Sequence, residues 1–557
     1  MSLTPSSLVL GSPLFADARL ATLARSDGAV AAWQAAFADN PATAALQASG
    51  DFAVALQEAS GRTFLAVDRF AVRSLCYRIQ DGQLRFAARA DELADTHAEV
   101  DPQAIFDYLF FHAIPSPRTI FKDVFRLPAG HYAVFDKGQL LVAPYWVPTF
   151  NEQTGASFDT LRDEFRSLVR SAVAGELDGG KAGCFLSGGT DSSTVAGMIG
   201  QAAGKPAATY SIGFDAEGYD EMEYARLAAR HFKTEHHEYY VTPEDLVRSI
   251  ADVAASYDQP FGNSSALPSY YCARMAKDDG VTKILAGDGG DELFGGNSRY
   301  AKQRVFGWYD VVPAPIRSGL MEPLLGKTAN SSISLLSKAS SYVEQAKVPM
   351  PDRLQMYNLL LRLGISDVFT PDFLARIDVQ GPAVQQRGVW QQARTDSLVN
   401  RMLAFDWRYT LAETDLPKVC GTTQLAGLQV GFPMLNQALL EFSLKLPTEY
   451  KLKGLKLRWF FKEALRGFLP DEILTKKKQG FGLPFGVWAT RHDGLKKLAS
   501  DSLNSLATRN IVRPDFIRSL LAERLQEHPG YYGEMVWILM MLEQWLQKHA
   551  PQFKMPG

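Results

Sequence analysis

Short apolar runs separated by glycine-bearing turns open the chain. Phe52-Ala-Val-Ala-Leu56, Thr63-Phe-Leu-Ala-Val67 and Leu84-Arg-Phe-Ala-Ala88 have strand length, and Gly61 and Asp81-Gly82 punctuate them. That spacing predicts antiparallel strands joined by tight turns. The polar stretch Phe150-Asn-Glu-Gln-Thr-Gly155 ends this rhythm, and a helical pattern runs from about Phe158 to Val173. We therefore expect two domains, residues 1–150 and 151–557.

From Lys181 the pattern alternates. Gly183–Leu186, Ala207–Ile212, Glu238–Val241 and Thr282–Ala286 read as buried strands. Between them, Asp191–Ala203, Asp220–Phe232 and Pro243–Tyr257 read as helices. Strands alternating with helices of this length imply βαβ units and a parallel sheet covered on both faces. Beyond Gly296 the pattern is mainly helical, without internal repeats. The expected class is α/β, with an antiparallel β-rich domain followed by a parallel-sheet domain that has a helical C-terminal part.

Composition narrows this picture. The 557 residues are 46% apolar and 21% charged, with a net charge of −3, which is ordinary for a globular chain and gives no nucleic-acid footprint. Cys76, Cys184, Cys272 and Cys420 form no CxxC pair and no metal-ligand spacing, as expected of a reduced intracellular protein. The N-terminus lacks the basic and apolar regions of a signal peptide. The longest membrane candidate, Val536–Leu542, is too short to span a bilayer and is followed by Glu543. A cytoplasmic location is the expectation, with no membrane and no nucleic-acid partner.

Two segments carry chemistry. Ser187-Gly-Gly-Thr-Asp-Ser-Ser193 lies between a predicted strand and a predicted helix. Gly188 and Gly189 let backbone N–H groups curl around an anion, the helix contributes its positive end, and Ser192 and Ser193 add hydroxyl donors. No GKS or GKT follows, so this is not a Walker loop. Asp191 within an anion-binding loop calls for a cation, and Mg²⁺ suits one or two carboxylates plus phosphate oxygens. The plainer reading makes the heptapeptide a Ser/Gly-rich turn with Asp191 as a helix cap. The second segment, Ala286-Gly-Asp-Gly-Gly-Asp-Glu-Leu-Phe-Gly-Gly296, ends another predicted strand and has five glycines in eleven residues. Strand ends of an open parallel sheet share one crevice. Asp288, Asp291 and Glu292 could thus supply a second metal carboxylate and a general base. An acidic solvated turn would not need so many glycines.

The first segment resembles the SGGxDS loop of the ATP pyrophosphatases, which cut ATP between its α and β phosphates. Both segments, with Phe214, Tyr219-Asp-Glu221 and Gln479-Gly-Phe-Gly482, resemble glutamine-dependent asparagine synthetases over nearly the whole chain. The resemblance implies an amide-forming ligase that uses ATP and Mg²⁺, forms an acyl-adenylate and releases AMP and pyrophosphate. It implies Asp191 and Asp291 as Mg²⁺ ligands, and Ser187, Gly188, Gly189, Asp191, Ser192, Ser193 and Gly287 around ATP and pyrophosphate. Asp288 matches the acidic residue near the reacting amine, and Lys478 the catalytic lysine. Three consecutive lysines are otherwise usually a solvated run.

The resemblance also implies an N-terminal glutaminase-like domain of the N-terminal-nucleophile type. Gly50–Leu56, Asp68–Arg73 and Arg126–His131 look like its later strands. Its cysteine is replaced by Ser2, and the glutamine-binding segment is missing. We expect no glutaminase nucleophile, a trait shared with the β-lactam synthetases and lasso-peptide cyclases. The substrates would be small-molecule or peptide carboxylates and amines; a homodimer is left open, as is the choice between joining two molecules and closing a ring.

Asparagine synthetases carry a tract of the form VDRxSMxxxxEVRVPxLD beside the acyl site, and here it aligns with Val419–Asn436. Cys420, Gly421, Gln429, Gly431 and Asn436 replace Asp, Arg, Glu, Arg and Asp, and Asn297 replaces a tyrosine. Two arginines becoming glycines would free volume for a larger or less charged substrate than aspartate, outside primary asparagine supply. The alternatives are an ammonia-using asparagine synthetase, compensated core repacking, a tRNA-modifying pyrophosphatase and a non-enzymatic scaffold.

Overall fold

The computed structural model describes residues 7–95, 98–311, 342–476 and 482–556. Strands β1 (Ser7–Gly11), β2 (Phe52–Gln57), β3 (Thr63–Val67), β7 (His131–Asp136) and β8 (Gln139–Pro144) form one antiparallel sheet in that order. A second antiparallel sheet contains β4 (Cys76–Gln80), β5 (Gln83–Ala87) and β6 (Phe125–Arg126), with β4 in the centre. Alternation along each strand explains the layering. Phe52, Val54, Leu56, Phe64 and Ala66 face Leu20, Trp33 and Phe37 of helices α1 (Ala18–Ser26) and α2 (Ala29–Asp39). Ala53, Ala55, Leu65 and Val67 face Tyr77, Leu84 and Phe86 of the second sheet. Asp81 and Gly82, both at positive φ, make the two-residue turn between β4 and β5, as the sequence pattern implied.

Past this sandwich the chain does not separate cleanly. Helix α3 (Pro102–Phe111) packs its Ala104, Phe106 and Tyr108 into the core built around the last helix, and the Tyr108 hydroxyl donates to the Ile538 carbonyl at 2.8 Å. Phe70 and Phe150 belong to the core of the second domain.

Helix α4 (Phe158–Glu176) leads into a five-stranded parallel sheet. Its strands are β9 (Gly183–Phe185), β10 (Ala208–Phe214), β11 (Glu235–Val241), β12 (Lys283–Leu285) and β13 (Gln429–Gly431), in the order β11-β10-β9-β12-β13. Helices α5 (Thr190–Ala203), α6 (Met222–Phe232), α7 (Pro243–Ser256) and α8 (Ala266–Asp278) connect them. The order runs outward in both directions from β9 and β12, so the loops after these two central strands face each other. Two elements escaped the sequence pattern. Helix α8 carries Pro268 in its first turn, where its missing N–H costs no intrahelical bond. Strand β13 is three residues long and ends in glycine, too short for any period.

After β12 come α9 (Gly290–Phe294), a π-helical stretch at Trp407–Asp415, α10 (Leu416–Leu425), α11 (Trp459–Ala464) and α12 (Pro529–His549). Val536–Leu542 lies within α12 and is buried in the protein core. Among the described residues, no helix is long and apolar enough to cross a membrane.

Candidate active site

Ser187, Gly188 and Gly189 join β9 to α5. Gly188 has φ +69°, and a Cβ there would lie 2.4 Å from the Ala225 nitrogen. Only glycine allows so close a pass against α6. Gly189 is the N-cap of α5 and makes no side-chain cap, so the first N–H groups of the helix stay oriented toward an incoming anion. Asp191 is therefore not the cap but a first-turn residue. Ser187 N–H donates to Ser192 Oγ at 3.1 Å, and the two hydroxyls are 3.0 Å apart. Ser193 departs from expectation: it is fully buried beneath the helix, and its hydroxyl has no partner among the described residues. Adjacent helical positions point about 100° apart, so Ser192 faces the loop while Ser193 faces the core.

The second loop packs directly on the first. A Cβ on Gly287 would lie 2.8 Å from the Ser192 nitrogen, and one on Gly290 would lie 2.1 Å from an Asp191 carboxylate oxygen. Asp191 and Asp291 converge, and Arg458 bridges them. Its Nη1 donates to Asp191 Oδ2 at 2.8 Å, to Thr190 Oγ1 at 2.9 Å and to Asp291 Oδ1, and its Nη2 donates to Asp191 Oδ1. Arg458 is only 6% exposed. Burial works against its charge, but Asp191 and Asp291 outweigh it and hold the guanidinium above its ordinary range. Sequence reasoning missed this residue. The only available signal was the excess of acids in the two loops, which had been assigned to Mg²⁺.

Asp288 lies on the other side of the second loop. Burial raises its carboxyl, and Lys418, 3.6 Å away, opposes that rise. Lys418 also sits 3.2 Å from Asp415, and despite burial these two carboxylates hold it well above the usual lysine range. Next along α10, Cys420 has its Sγ 3.7 Å from the Val72 carbonyl, and burial pushes its thiol up to about 12. Arg73 beside it is paired with Asp51 at 2.6 Å. The N-terminal domain thus packs against Cys420, two residues along from the Lys418 that pairs with Asp288.

Lys478 lies outside the described residues, as do Gln479, Gly480, Phe481 and Ser2. Lys476, the first of the three lysines, is not a solvated residue. It is 9% exposed, 3.0 Å from Glu221 and 4.3 Å from the Tyr224 ring centre. The lysine run thus starts against the same turn of α6 that backs Gly188.

The substituted tract corrects one expectation. A Cβ on Gly421 would lie 2.5 Å from the Tyr257 ring, and one on Gly431 would lie 2.5 Å from a Glu176 oxygen and 2.9 Å from Leu285. Neither glycine frees volume, because aromatic and strand packing already fills both places. Asn436 caps the helix Gln437–Lys445, Asn297 Oδ1 accepts from the Arg299 N–H, and Gln429 is exposed at the start of β13. Of the five substitutions in the tract, Cys420 is near enough to Asp288 for that carboxylate to add to the rise of its thiol.

With this geometry, known proteins can be compared. The family model described as asparagine synthase matches residues 164–547. The chain belongs to the asparagine synthase family. A second model, a glutamine amidotransferase domain, matches residues 18–146. The chain is 24% identical over 500 residues to asparagine synthetase [glutamine-hydrolyzing] 1 of Bacillus subtilis, covering 88% of this chain and 76% of that one. Asparagine synthetase 3 of the same organism is 25% identical over 529 residues, covering 91% and 75%. Amidase chry2 of Gibberella zeae is 22% identical over 488 residues, covering 79% and 70%. As a member of the asparagine synthase family, the protein is an ATP-dependent amide-forming enzyme, an AMP-forming carbon–nitrogen ligase.

Proposed function

We propose that this ligase activates a carboxylate other than aspartate as an acyl-adenylate, and that a substrate amine, not glutamine-derived ammonia, displaces AMP. The observation that carries the reading is the meeting of the two strand-end loops. A helix N-terminus without a side-chain cap and a glycine cradle stand beside Asp191 and Asp291, and a half-buried Asp288–Lys418 pair lies close by. Ser187, Gly188, Gly189 and Ser192 bind pyrophosphate, and Gly287 keeps the second loop close. Two converging carboxylates with the Thr190 hydroxyl beside them form the oxygen donor set that Mg²⁺ favours. Asp191 and Asp291 would hold the ion, which offsets phosphate charge when bound. Lys478 adds a second positive charge, on the strength of the family resemblance. Asp288, its carboxyl raised by burial, receives the proton that the attacking amine releases.

The case against aspartate rests on Cys420, where asparagine synthetases carry an acid, and on the cations nearby. Lys418 is held by Asp288 and Asp415, and Arg73 by Asp51. A dianionic substrate would have to break those pairs to gain a partner. The test is ATP–pyrophosphate exchange with a panel of carboxylic acids including aspartate, followed by mass analysis of products. We expect AMP and pyrophosphate, with exchange driven by acids other than aspartate. Nucleotide products of ADP and phosphate, or saturable asparagine formation from aspartate and ammonia, would overturn the reading.

A further inference from the structure

We propose that in the nucleotide-free enzyme Arg458 takes the place of the divalent cation between Asp191 and Asp291, so that the ion enters with the nucleotide and not before it. The inference rests on the reading of those two aspartates as metal ligands.

Three independent features point to Arg458 as a residue built for this position. The first is its set of bonds: one guanidinium reaches both carboxylates and the Thr190 hydroxyl. The second is its backbone. Arg458 has φ +53° and ψ 36°, a left-handed conformation for a side-chain-bearing residue. Such a conformation costs about 1–3 kcal/mol and persists only where the surroundings enforce it. Here the hairpin Leu452–Lys453/Lys456–Leu457 delivers the residue and α11 begins directly after it, while the Phe461 ring supports the guanidinium from 4.0 Å. The third is the second loop. A Cβ on Gly296 would lie 2.8 Å from Arg458 Cδ, and one on Gly290 would lie 3.3 Å from Nη2. Two of the five glycines in that loop thus leave room for the arginine as well as for Asp191 and Asp291.

The charge argument sets the order of binding. Two carboxylates forced together without a cation repel each other, and a guanidinium keeps its charge under all ordinary conditions. Arg458 therefore offsets the charge of both carboxylates and holds them aligned before substrate arrives. A bare Mg²⁺ gives up its water shell reluctantly, so it gains little by displacing a guanidinium already bonded to both acids. An ion already bound to phosphate oxygens arrives with part of that shell replaced.

Mn²⁺ titration of the full-length protein, followed by the electron paramagnetic resonance signal of free Mn²⁺, tests this directly. In the wild type we expect weak binding alone and much tighter binding with α,β-methylene-ATP, after subtracting the Mn²⁺ that the analogue binds in a protein-free titration. Arg458→Met should bind Mn²⁺ without nucleotide about tenfold more tightly than the wild type, within the usual range of coupling between two ligands. Arg458→Lys should fall between them. Adding Asp191→Asn to Arg458→Met should abolish the gain. Equal Mn²⁺ affinity in the wild type with and without the analogue, a comparison that needs no variant, would overturn the proposal. So would an Arg458→Met or Arg458→Lys protein that binds no more tightly, or a gain that survives Asp191→Asn. If the metal-ligand reading itself is wrong, Asp191→Asn alone will leave Mn²⁺ binding with the analogue unchanged, which separates the two failures.

Discussion

Asp191 and Asp291 come from loops a hundred residues apart and share one guanidinium. Replacing either with Asn removes a charge from the proposed phosphate-handling centre while keeping its shape. Loss of one electrostatic stabiliser typically lowers rate by about 10²–10³, so each variant should lose that much ATP–pyrophosphate exchange. Near wild-type exchange in both, with the protein folded, would put the site elsewhere. A second residue-scale expectation concerns Lys451. It is fully buried, with Nζ 2.9 Å from Asn400 Oδ1 and 4.8 Å from the Phe150 ring centre. Burial lowers its pKa to about 7, from 10.5 in an open chain, with Glu152 opposing the shift. Between those values the unfolded chain binds the proton and the native chain does not, so stability rises with pH across that window and the cost is complete below it. In denaturant titrations the wild type should gain on Lys451→Met between pH 7 and pH 10; parallel pH curves would refute this. At this scale the sequence was legible where glycines and acids cluster, as at Gly188 and Asp291. It was silent on Arg458 and Lys451, whose neighbours come from distant segments and leave no local pattern.

The π-helical stretch Trp407–Asp415 shows what one element can do for two surroundings. Its wider turn lets Glu413 reach the N-terminal domain while Asp415 reaches Lys418. π-Helices are rare and often mark functional sites. Glu413 is buried, accepts from Ser116 Oγ at 2.7 Å and Arg126 at 2.6 Å, and forms an ion pair with Arg408 at 2.8 Å. Burial pushes its carboxyl up, but the two arginines more than reverse that and hold it below the usual range. Removing one partner of a buried ionic cluster typically costs about 3–5 kcal/mol, so Glu413→Ala should lose roughly that in chemical denaturation. A loss under 1 kcal/mol would mean the cluster is solvated in practice. Elements of ordinary period were readable: the helix expected from Phe158 extends to Glu176, and the strand expected at Thr63–Val67 spans those residues. A π-turn was not, because its period differs from the one sought, and β13 was too short to have one.

At the scale of the whole molecule, the N-terminal domain is bound into the enzyme rather than appended to it. α3 lies in the core of the last helix, and the loop carrying Val72 and Arg73 packs against Cys420 of α10. Under the proposed function this domain supports the ligase and does not hydrolyse glutamine. Purified protein should release no glutamate from glutamine, while its ATP–pyrophosphate exchange continues; glutamate release dependent on this chain would refute that. The sequence changes pattern near residue 150. The shared packing was not, since pattern reports local period and says nothing of which faces meet.

The order β11-β10-β9-β12-β13 has a consequence for synthesis on the ribosome. Strand β12 ends at Leu285, but the neighbour that covers its open edge does not begin until Gln429, and Arg458 follows later still. Until then the nascent chain carries an unpaired sheet edge, the kind of template on which foreign strands add. Most of the polypeptide must therefore emerge before the edge is sealed and the two aspartates gain their counter-charge. Chains halted between β12 and β13 should be recovered as aggregates, whereas completed chains should be recovered as folded ligase.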